Sequence, residues 1–238
     1  ILGDDADLFC LYYDVTDGGN WEGNSILCNN INISAVAFHF GISEDKIREI
    51  LASCSEKLLN VRSKRVTPGL DDKILTSWNS LMITAFAKGY RVTGETKYLD
   101  AAKKCISFIE TTLLHDDKLL RTYKNNIAKI DGYLEDYSYF ANALLDVFEI
   151  EPESKHLDLA LKLGHYLVDH FWDSESSSFF MTSDDHEKLI IRPKSNYDLS
   201  LPSGNSVSCF VMIRLFHLTR EEKFLKIATQ IMESQAQI

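Results

Sequence analysis

The sequence predicts an all-α protein built as an α/α toroid, in which helical hairpins surround a common centre. Apolar residues recur at helical spacing along most of the chain after residue 42. A weak sequence echo also appears three times, about 60 residues apart, at 93–102, 151–160 and 219–228. A recurring unit of this size indicates stacked supersecondary units, none of which buries its apolar face alone.

Seven amphipathic helices are predicted in chain order. Ser43 is a good N-cap for the first helix, and Gly94 ends the second. The apolar stripes run over 47–61, 75–90, 98–109, 134–148, 157–171, 207–218 and 224–232. Each stripe covers one face only, which is typical of helices that pack on one side.

The connections between these helices are unequal in length. The three echo segments are short turns, whereas long segments near 114–132 and 172–202 join the third helix to the fourth and the fifth to the sixth. Short turns should therefore lie at one end of the array and long loops at the other, where binding residues usually reside. The sequence pattern of residues 179–192 predicts a small β-hairpin inside the second long loop.

Alternate helices should form an inner ring whose N-termini meet at the long-loop end. Three and a half helix pairs are too few for a six-pair barrel, so we expect an incomplete barrel, either an open arc or part of a longer chain. Residues 1–41 alternate weakly and carry turn signals at 17–20, which indicates an irregular or strand-bearing lead-in. The α/α-barrel domain is predicted over 42–238, continuous with that lead-in.

Composition excludes several classes of function. The formal net charge of −10 argues against nucleic-acid binding, which needs a basic surface. No apolar run is long enough to cross a membrane, and the N-terminus lacks a signal-peptide pattern. The five cysteines are scattered without C-x-x-C spacing, so we expect reduced thiols in a cytoplasmic protein.

Three polar clusters lie at the starts of the predicted inner helices, at 71–79, 131–137 and 202–206. Carboxylates with aromatic platforms and amides suit a sugar, and two carboxylates across a cleft suit glycoside hydrolysis. The catalytic candidates are Asp71 or Asp72 on one side and Glu135 or Asp136 on the other, with Asp72 and Asp136 as the preferred pair. The candidate substrate-binding residues are Trp78, Asn79, Tyr133, Tyr137, Ser203 and Asn205.

A plainer interpretation is that these residues cap helices, because Asp, Ser and Asn are ordinary helix starters.

Other kinds of functional site are less favoured by the sequence. His165 and His170 do not share a helix face, so no metal site is predicted. His217 lies at the wrong end for the mouth, which disfavours a histidine-dependent sugar epimerase. Gly18 and Gly19 lack a following helix, and no cofactor is predicted.

The same clusters resemble a known family. Residues 68–83 closely resemble a signature of the spermatogenesis-associated thioredoxin-domain proteins, and so do residues 12–23, 131–137, 171–173, 179–182 and 202–206. The resemblance implies an N-terminal thioredoxin-like domain followed by a six-hairpin glycosidase-like α/α barrel, and these 238 residues match part of the barrel region only. Gly69 stands where the family usually has His, and Ser80 where it usually has Gly.

The resemblance implies a carbohydrate-active or carbohydrate-binding domain whose reaction is unknown, with a sugar-like small molecule as ligand. An alternative is a non-catalytic module that docks a protein, such as the thioredoxin-like domain of the full-length protein. This alternative predicts an exposed apolar patch and a mouth without opposed carboxylates. A third interpretation is a fragment with no activity of its own.

Overall fold

Helices dominate both of the units into which the chain divides. The computed structural model describes residues 1–187 and 190–236, and its two units are Ile1–Leu70 and Asp71–Ile238. The first unit contains a short 3₁₀ helix at Gly3–Asp5 and three α-helices: α1 (Ala6–Tyr13), α2 (Ile33–Phe40) and α3 (Glu44–Arg62). The side chain of Ser43 accepts a hydrogen bond from Lys46 N, as its predicted role as the N-cap of α3 requires.

The first unit differs from the predicted irregular or strand-bearing lead-in. Residues 1–41 form α1 and α2, because their apolar positions bury Leu8, Phe9 and Val36 against Ile47 and Leu51 of α3. A short apolar run does not distinguish a strand from a buried helix by its periodicity. Because α3 packs with α1 and α2, the first unit extends to Leu70, whereas the sequence pattern predicts a boundary after residue 41.

The second unit contains the predicted helical hairpins. Its helices are α4 (Thr76–Thr93), α5 (Thr96–Thr112), α6 (Leu134–Phe148), α7 (Ser154–His170), α8 (Gly204–Thr219) and α9 (Glu222–Gln235). Gly94 adopts a left-handed conformation as the C-cap of α4, where the sequence predicted the helix to end. α6 packs against α4 on one side and α8 on the other, whereas α5, α7 and α9 each pack on the preceding helix.

This packing places alternate helices in an inner layer, as predicted. The largest apolar core of the unit lies between the two layers, and α6 is its most deeply buried helix. Fully buried members include Ile83, Ile106, Phe140, Leu144 and Phe224. Because α4, α6 and α8 run in the same direction, their N-termini lie at one end of the unit.

The long segments carry short antiparallel strands. These are β1 (Ile74–Leu75), β2 (Leu114–His115), β3 (Lys118–Lys124), β4 (Ile127–Asp131), β5 (Trp172–Asp173) and β6 (Ser178–Phe179). β3 pairs with β1, β2 and β4, whereas β5 pairs with β6. The small hairpin in the second long loop is therefore formed by 172–179. Of the hairpin predicted over 179–192, Lys188 and Leu189 lie outside the described residues, and Ile190–Arg192 form no strand.

Two general features accompany this fold. Among the helices in the described part of the chain, none combines the length and apolar character needed to cross a bilayer. All five cysteines are free, and Cys54 and Cys209 are buried.

The starts of α6 and α8 approach each other closely at Gly204. A Cβ added to Gly204 would lie 2.7 Å from Leu134 Cγ and 2.8 Å from Leu134 Cδ2. We therefore expect Gly204→Ala to lower the free energy of unfolding by about 1–3 kcal/mol, because the two helices must move apart. Urea denaturation of the purified protein measures this change.

Gly89 provides a matched control inside α4. A Cβ added there would meet the Tyr98 ring at 3.6 Å, which is an ordinary contact. Gly89→Ala should therefore raise the free energy of unfolding by about 0.5–1 kcal/mol, since Ala is the better helix former. Equal effects of the two substitutions would contradict the close approach of α6 and α8.

Candidate functional site

The starts of the three inner helices converge, as the alternation of helices predicted. Ser77 N, in the first turn of α4, donates a 2.9 Å hydrogen bond to Asp136 Oδ1 in the first turn of α6. Leu134 N, at the first residue of α6, donates to Met181 O in the second long loop at 2.9 Å. Gly204, the first residue of α8, contacts Leu134. The long loops and the inner-helix N-termini therefore share one end of the unit.

A cavity of about 290 Å³ lies at this end, which we call the mouth cavity. The start of α6 contributes Tyr133, Leu134 and Glu135 to its wall, and the start of α8 contributes Ser203 and Gly204. Met181 and the segment 195–202 complete the wall, and this segment contributes Tyr197. Three residues predicted from the sequence to form one site, Tyr133, Glu135 and Ser203, are thus brought together here.

Arg121 of β3 organises the acidic start of α6. Its Nη1 atom lies 2.8 Å from Glu135 Oε1 and donates to Asp136 Oδ2 at 3.0 Å. Its guanidinium carbon also lies 4.6 Å from the centroid of the Tyr133 ring. The Arg121 guanidinium therefore contacts two carboxylates and one aromatic ring. Glu135 keeps 26% of its side chain exposed, whereas the Asp136 side chain is fully buried.

The buried Asp136 carboxylate is saturated with donors from the chain. Besides Arg121 and Ser77 N, it accepts a 2.9 Å hydrogen bond from Tyr133 N. Burial raises the pKa of Asp136, and the Arg121 guanidinium and these backbone N–H groups oppose that rise. Because the carboxylate is enclosed and bonded on both oxygens, it is placed to join α4 and α6 rather than to meet a ligand.

Asp71 and Asp72 lie before β1 and are both more than half exposed. Asp71 pairs with Lys73 at 3.1 Å, and Asp72 pairs with Lys124 of β3. These lysine ammonium groups hold the pKa of each aspartate below its usual value. Since neither residue lines the mouth cavity, the structure does not place Asp72 across a cleft from the enclosed Asp136.

Trp78, Asn79 and Tyr137 also lie outside the wall of the mouth cavity. Trp78 is 59% exposed on α4. Asn79 donates to Leu75 O at 2.9 Å and accepts from the Cys105 thiol of α5, so its amide is used between two helices. Tyr137 is buried, stacks on Tyr166 and accepts a hydrogen bond from Leu119 N at 2.9 Å. Burial raises the pKa of Tyr137.

Asn205 is a buried anchor for the second long loop. Its Oδ1 atom accepts from Phe179 N at 2.7 Å, and its Nδ2 atom donates to Phe179 O and Ser195 O, each at 3.0 Å. Ser203 is the N-cap of α8, and its hydroxyl accepts from Ser206 N at 3.0 Å. The plainer interpretation, that such residues cap or anchor helices, thus describes these contacts, although Ser203 also lines the cavity.

Four residues at this end were not among the predicted candidates. Arg121 lies in a strand that was treated as loop, and Tyr197 lies in the segment before the 202–206 cluster. Asp198 accepts from Ser203 N at 2.7 Å, and Tyr139 donates its hydroxyl to Pro202 O. Burial raises the pKa of Tyr139 to about 12, which keeps this hydroxyl a donor. Of these four residues, only Tyr197 could have been found from the sequence, because it is an aromatic residue close to the polar cluster at 202–206.

The structure also brings together His170, Asp184 and Asp185, whose ligand atoms all lie within 4.8 Å of one another. His170 Nδ1 lies 2.8 Å from Asp184 Oδ1, and Asp185 accepts hydrogen bonds from Tyr166 and pairs with Lys118. The pKa of Asp185 is lowered to about 2 by these donors, against the opposing effect of burial. Carboxylate and imidazole groups are ligands that divalent cations use, but the Asp185 carboxylate already forms an ion pair with Lys118. The absence of a metal site stays a prediction.

Comparison with known proteins supports the predicted family. No family model matches the chain. The chain is 29% identical over 239 residues to spermatogenesis-associated protein 20 of Homo sapiens, covering 92% of this chain and 30% of that protein. The Rattus norvegicus protein of the same name is 29% identical over 218 residues, covering 87% of this chain and 28% of that protein. The chain thus spans about a third of the length of these relatives.

Solved structures show the fold. Cellobiose 2-epimerase from Bacillus thermoamylovorans superposes with a TM-score of 0.59 at 14% identity, over 69% of this chain and 45% of that one. The GH76A α-1,6-mannanase of Salegentibacter superposes with a TM-score of 0.55 at 17% identity, over 98% of this chain and 68% of that one. The chain therefore has the predicted α/α-toroid fold, and its sequence relatives support the predicted family.

Proposed function

We propose that this chain is part of a spermatogenesis-associated thioredoxin-domain protein and that its second unit binds a sugar-like ligand in the mouth cavity. The observation that carries the proposal is the mouth cavity itself, with Tyr133, Glu135 and Tyr197 in its wall. Structural neighbours named as a cellobiose epimerase, a mannose isomerase and a mannanase support a carbohydrate ligand for this fold.

The lining of the mouth cavity has the two kinds of surface that a sugar requires. Tyr133 and Tyr197 give the wall aromatic surface and Leu134 gives it apolar surface, which are the kinds of surface that pack on the C–H face of a pyranose ring. The Glu135 carboxylate accepts hydrogen bonds from hydroxyl groups, and such charge-assisted bonds are stronger than neutral ones. Arg121 fixes the direction of that carboxylate through its 2.8 Å contact.

Hydrolysis would need a second carboxylate that faces the same ligand. Among the described residues that line the cavity, Glu135 is the only acid. Asp136 is enclosed, and Asp72 pairs with Lys124 on the surface. We therefore propose sugar binding through Glu135 as the primary role. A glycosidase-like reaction with Glu135 as one of its two carboxylates is the finer possibility that the same experiment addresses.

Glu135→Gln tests this role, because it removes the charge and keeps the shape. Saturation-transfer NMR with D-mannose and cellobiose should show binding to the parent protein. The variant should bind about tenfold more weakly or worse, since a hydrogen bond to a charged group contributes about 1.5–3 kcal/mol. Incubation of each sugar with the parent protein, followed by chromatography, detects hydrolysis of the glycosidic bond of cellobiose and epimerisation of either sugar.

Glu149→Gln is the matched control. Glu149 follows the opposite end of α6 and pairs with Arg214 and Arg91, so this variant has the same net charge without altering the cavity. It should bind the sugars as the parent does. Absence of binding to the parent, or equal binding by Glu135→Gln, would contradict the proposal.

A second candidate function is docking of a thioredoxin-like domain. It is favoured by the exposure of large apolar side chains on the inner helices, with Trp78 59%, Met82 50% and Phe210 54% exposed. Trp78 and Met82 lie one turn apart on the same face of α4. Trp78→Ser should leave sugar binding unchanged, whereas it should weaken docking, so this variant separates the two candidates.

A further inference from the structure

Two carboxylates of the chain itself, Asp136 and Asp198, lie at the starts of the three inner helices. Asp136 accepts from Ser77 N at the start of α4 and from Tyr133 N at the start of α6. Asp198 accepts from Ser203 N at the start of α8, at 2.7 Å, and from the Ser206 hydroxyl. Helix N-termini are ordinarily favourable places for a bound anion because their N–H groups point outward. Here two carboxylates of the chain, Asp136 and Asp198, already lie at these positions, so a further anion would approach groups of the same charge.

The mouth cavity also lacks a cation directed at a ligand. Of the residues that the structure describes, none of those lining the cavity is basic, and Glu135 is the one acidic residue among them. Arg121 lies behind Glu135 and contacts both Glu135 and Asp136, so one positive charge faces two negative charges. The local charge at the start of α6 is therefore negative.

We propose that the mouth cavity selects neutral polyhydroxylated ligands and excludes their phosphorylated or carboxylated forms, with Glu135 as the specificity-determining residue. This inference rests on the proposed function and adds the class of sugar to it. A phosphate or carboxylate group in the cavity would meet helix starts that already carry Asp136 and Asp198, and no basic side chain among the described residues of the wall. It would instead lie beside Glu135, where like charges repel.

The selectivity can be measured with a neutral sugar and its phosphate ester. The probes are D-mannose, D-mannose 6-phosphate and inorganic phosphate, titrated into ¹⁵N-labelled protein at constant ionic strength. The parent protein should bind D-mannose at least tenfold more tightly than D-mannose 6-phosphate. Inorganic phosphate should not shift the amide signals of Tyr133, Glu135 or Gly204. The phosphate titration reports on the cavity even without a sugar ligand.

Glu135→Gln should reduce the preference for the neutral sugar by at least tenfold, partly by weakening D-mannose binding and partly by admitting the ester. Glu149→Gln carries the same change of net charge and should keep the parent's preference. Equal or tighter binding of D-mannose 6-phosphate by the parent, or a phosphate-dependent shift of Gly204, would overturn the inference while leaving sugar binding intact. If the parent bound neither sugar, the proposed function and this inference would fail together.

Discussion

Arg121→Gln should lower the free energy of unfolding by about 3–5 kcal/mol, because it leaves the Asp136 carboxylate buried without its counter-charge. Asp136 has no exposed side-chain surface, and Arg121 itself is only 21% exposed. The backbone donors Ser77 N and Tyr133 N remain, but they satisfy hydrogen bonding and not the full charge. Urea denaturation monitored by circular dichroism at pH 7 measures the loss.

Arg91→Gln is the matched control for this prediction. Arg91 also pairs with a glutamate of the α6 region, at 3.4 Å from Glu149, but its side chain is 61% exposed. An exposed ion pair contributes little, so this change should cost less than about 1 kcal/mol. Arg121→Lys should give an intermediate loss, because an ammonium keeps the charge without a guanidinium's several planar donors. Equal losses for the Arg121→Gln and Arg91→Gln variants would contradict the described burial of the Asp136 pair.

The helical part of the fold could be predicted because its signals are local. Amphipathic periodicity, the Ser43 cap and the Gly94 stop depend on residues within one or two helical turns of each other. The order of short turns and long loops then places the starts of alternate helices at one end. The contact of Ser77 with Asp136 confirms that placement. These features follow from the chain alone because each needs only neighbouring residues.

The roles of the polar residues at the mouth could not be predicted in the same way. Glu135 and Asp136 are adjacent in sequence, yet one faces the cavity and the other is enclosed by α4 and β3. Asp136 became a structural residue because Arg121, fifteen positions earlier, lies in a strand that carried no clear signal. Sequence shows that a helix start is polar. Tertiary packing decides which of its polar groups meets solvent.

Asn205 shows the same difficulty and permits the sharpest test of it. Its position in the 202–206 cluster predicts a ligand-binding role, whereas in the structure its amide is hydrogen-bonded to Phe179 N, Phe179 O and Ser195 O, and the residue is 3% exposed. We expect Asn205→Asp to lower the free energy of unfolding by about 2–5 kcal/mol, because two buried carbonyl groups lose their donor and face a carboxylate. Thermal and urea unfolding of the variant measure this loss.

The loss should depend on pH in a defined direction. Burial beside two carbonyl oxygens should raise the pKa of the new carboxyl above its unfolded value of about 4. The folded variant then retains a proton that the unfolded chain releases, so its stability should fall as pH rises from about 4 to the folded-state pKa. Asn125→Asp, in the exposed β3–β4 turn, is the control and should change stability by less than about 0.5 kcal/mol at any pH in this range.

The two roles proposed for Asn205 separate cleanly in this experiment. A structural anchor predicts a large, pH-dependent loss of stability, with any change in sugar binding following from disorder of the 195–202 wall. A ligand-binding amide predicts normal stability and weaker binding of the neutral sugar. If Asn205→Asp had the same free energy of unfolding as the parent, the three hydrogen bonds would not stabilise the loop. The ligand-binding role of Asn205 would then be favoured.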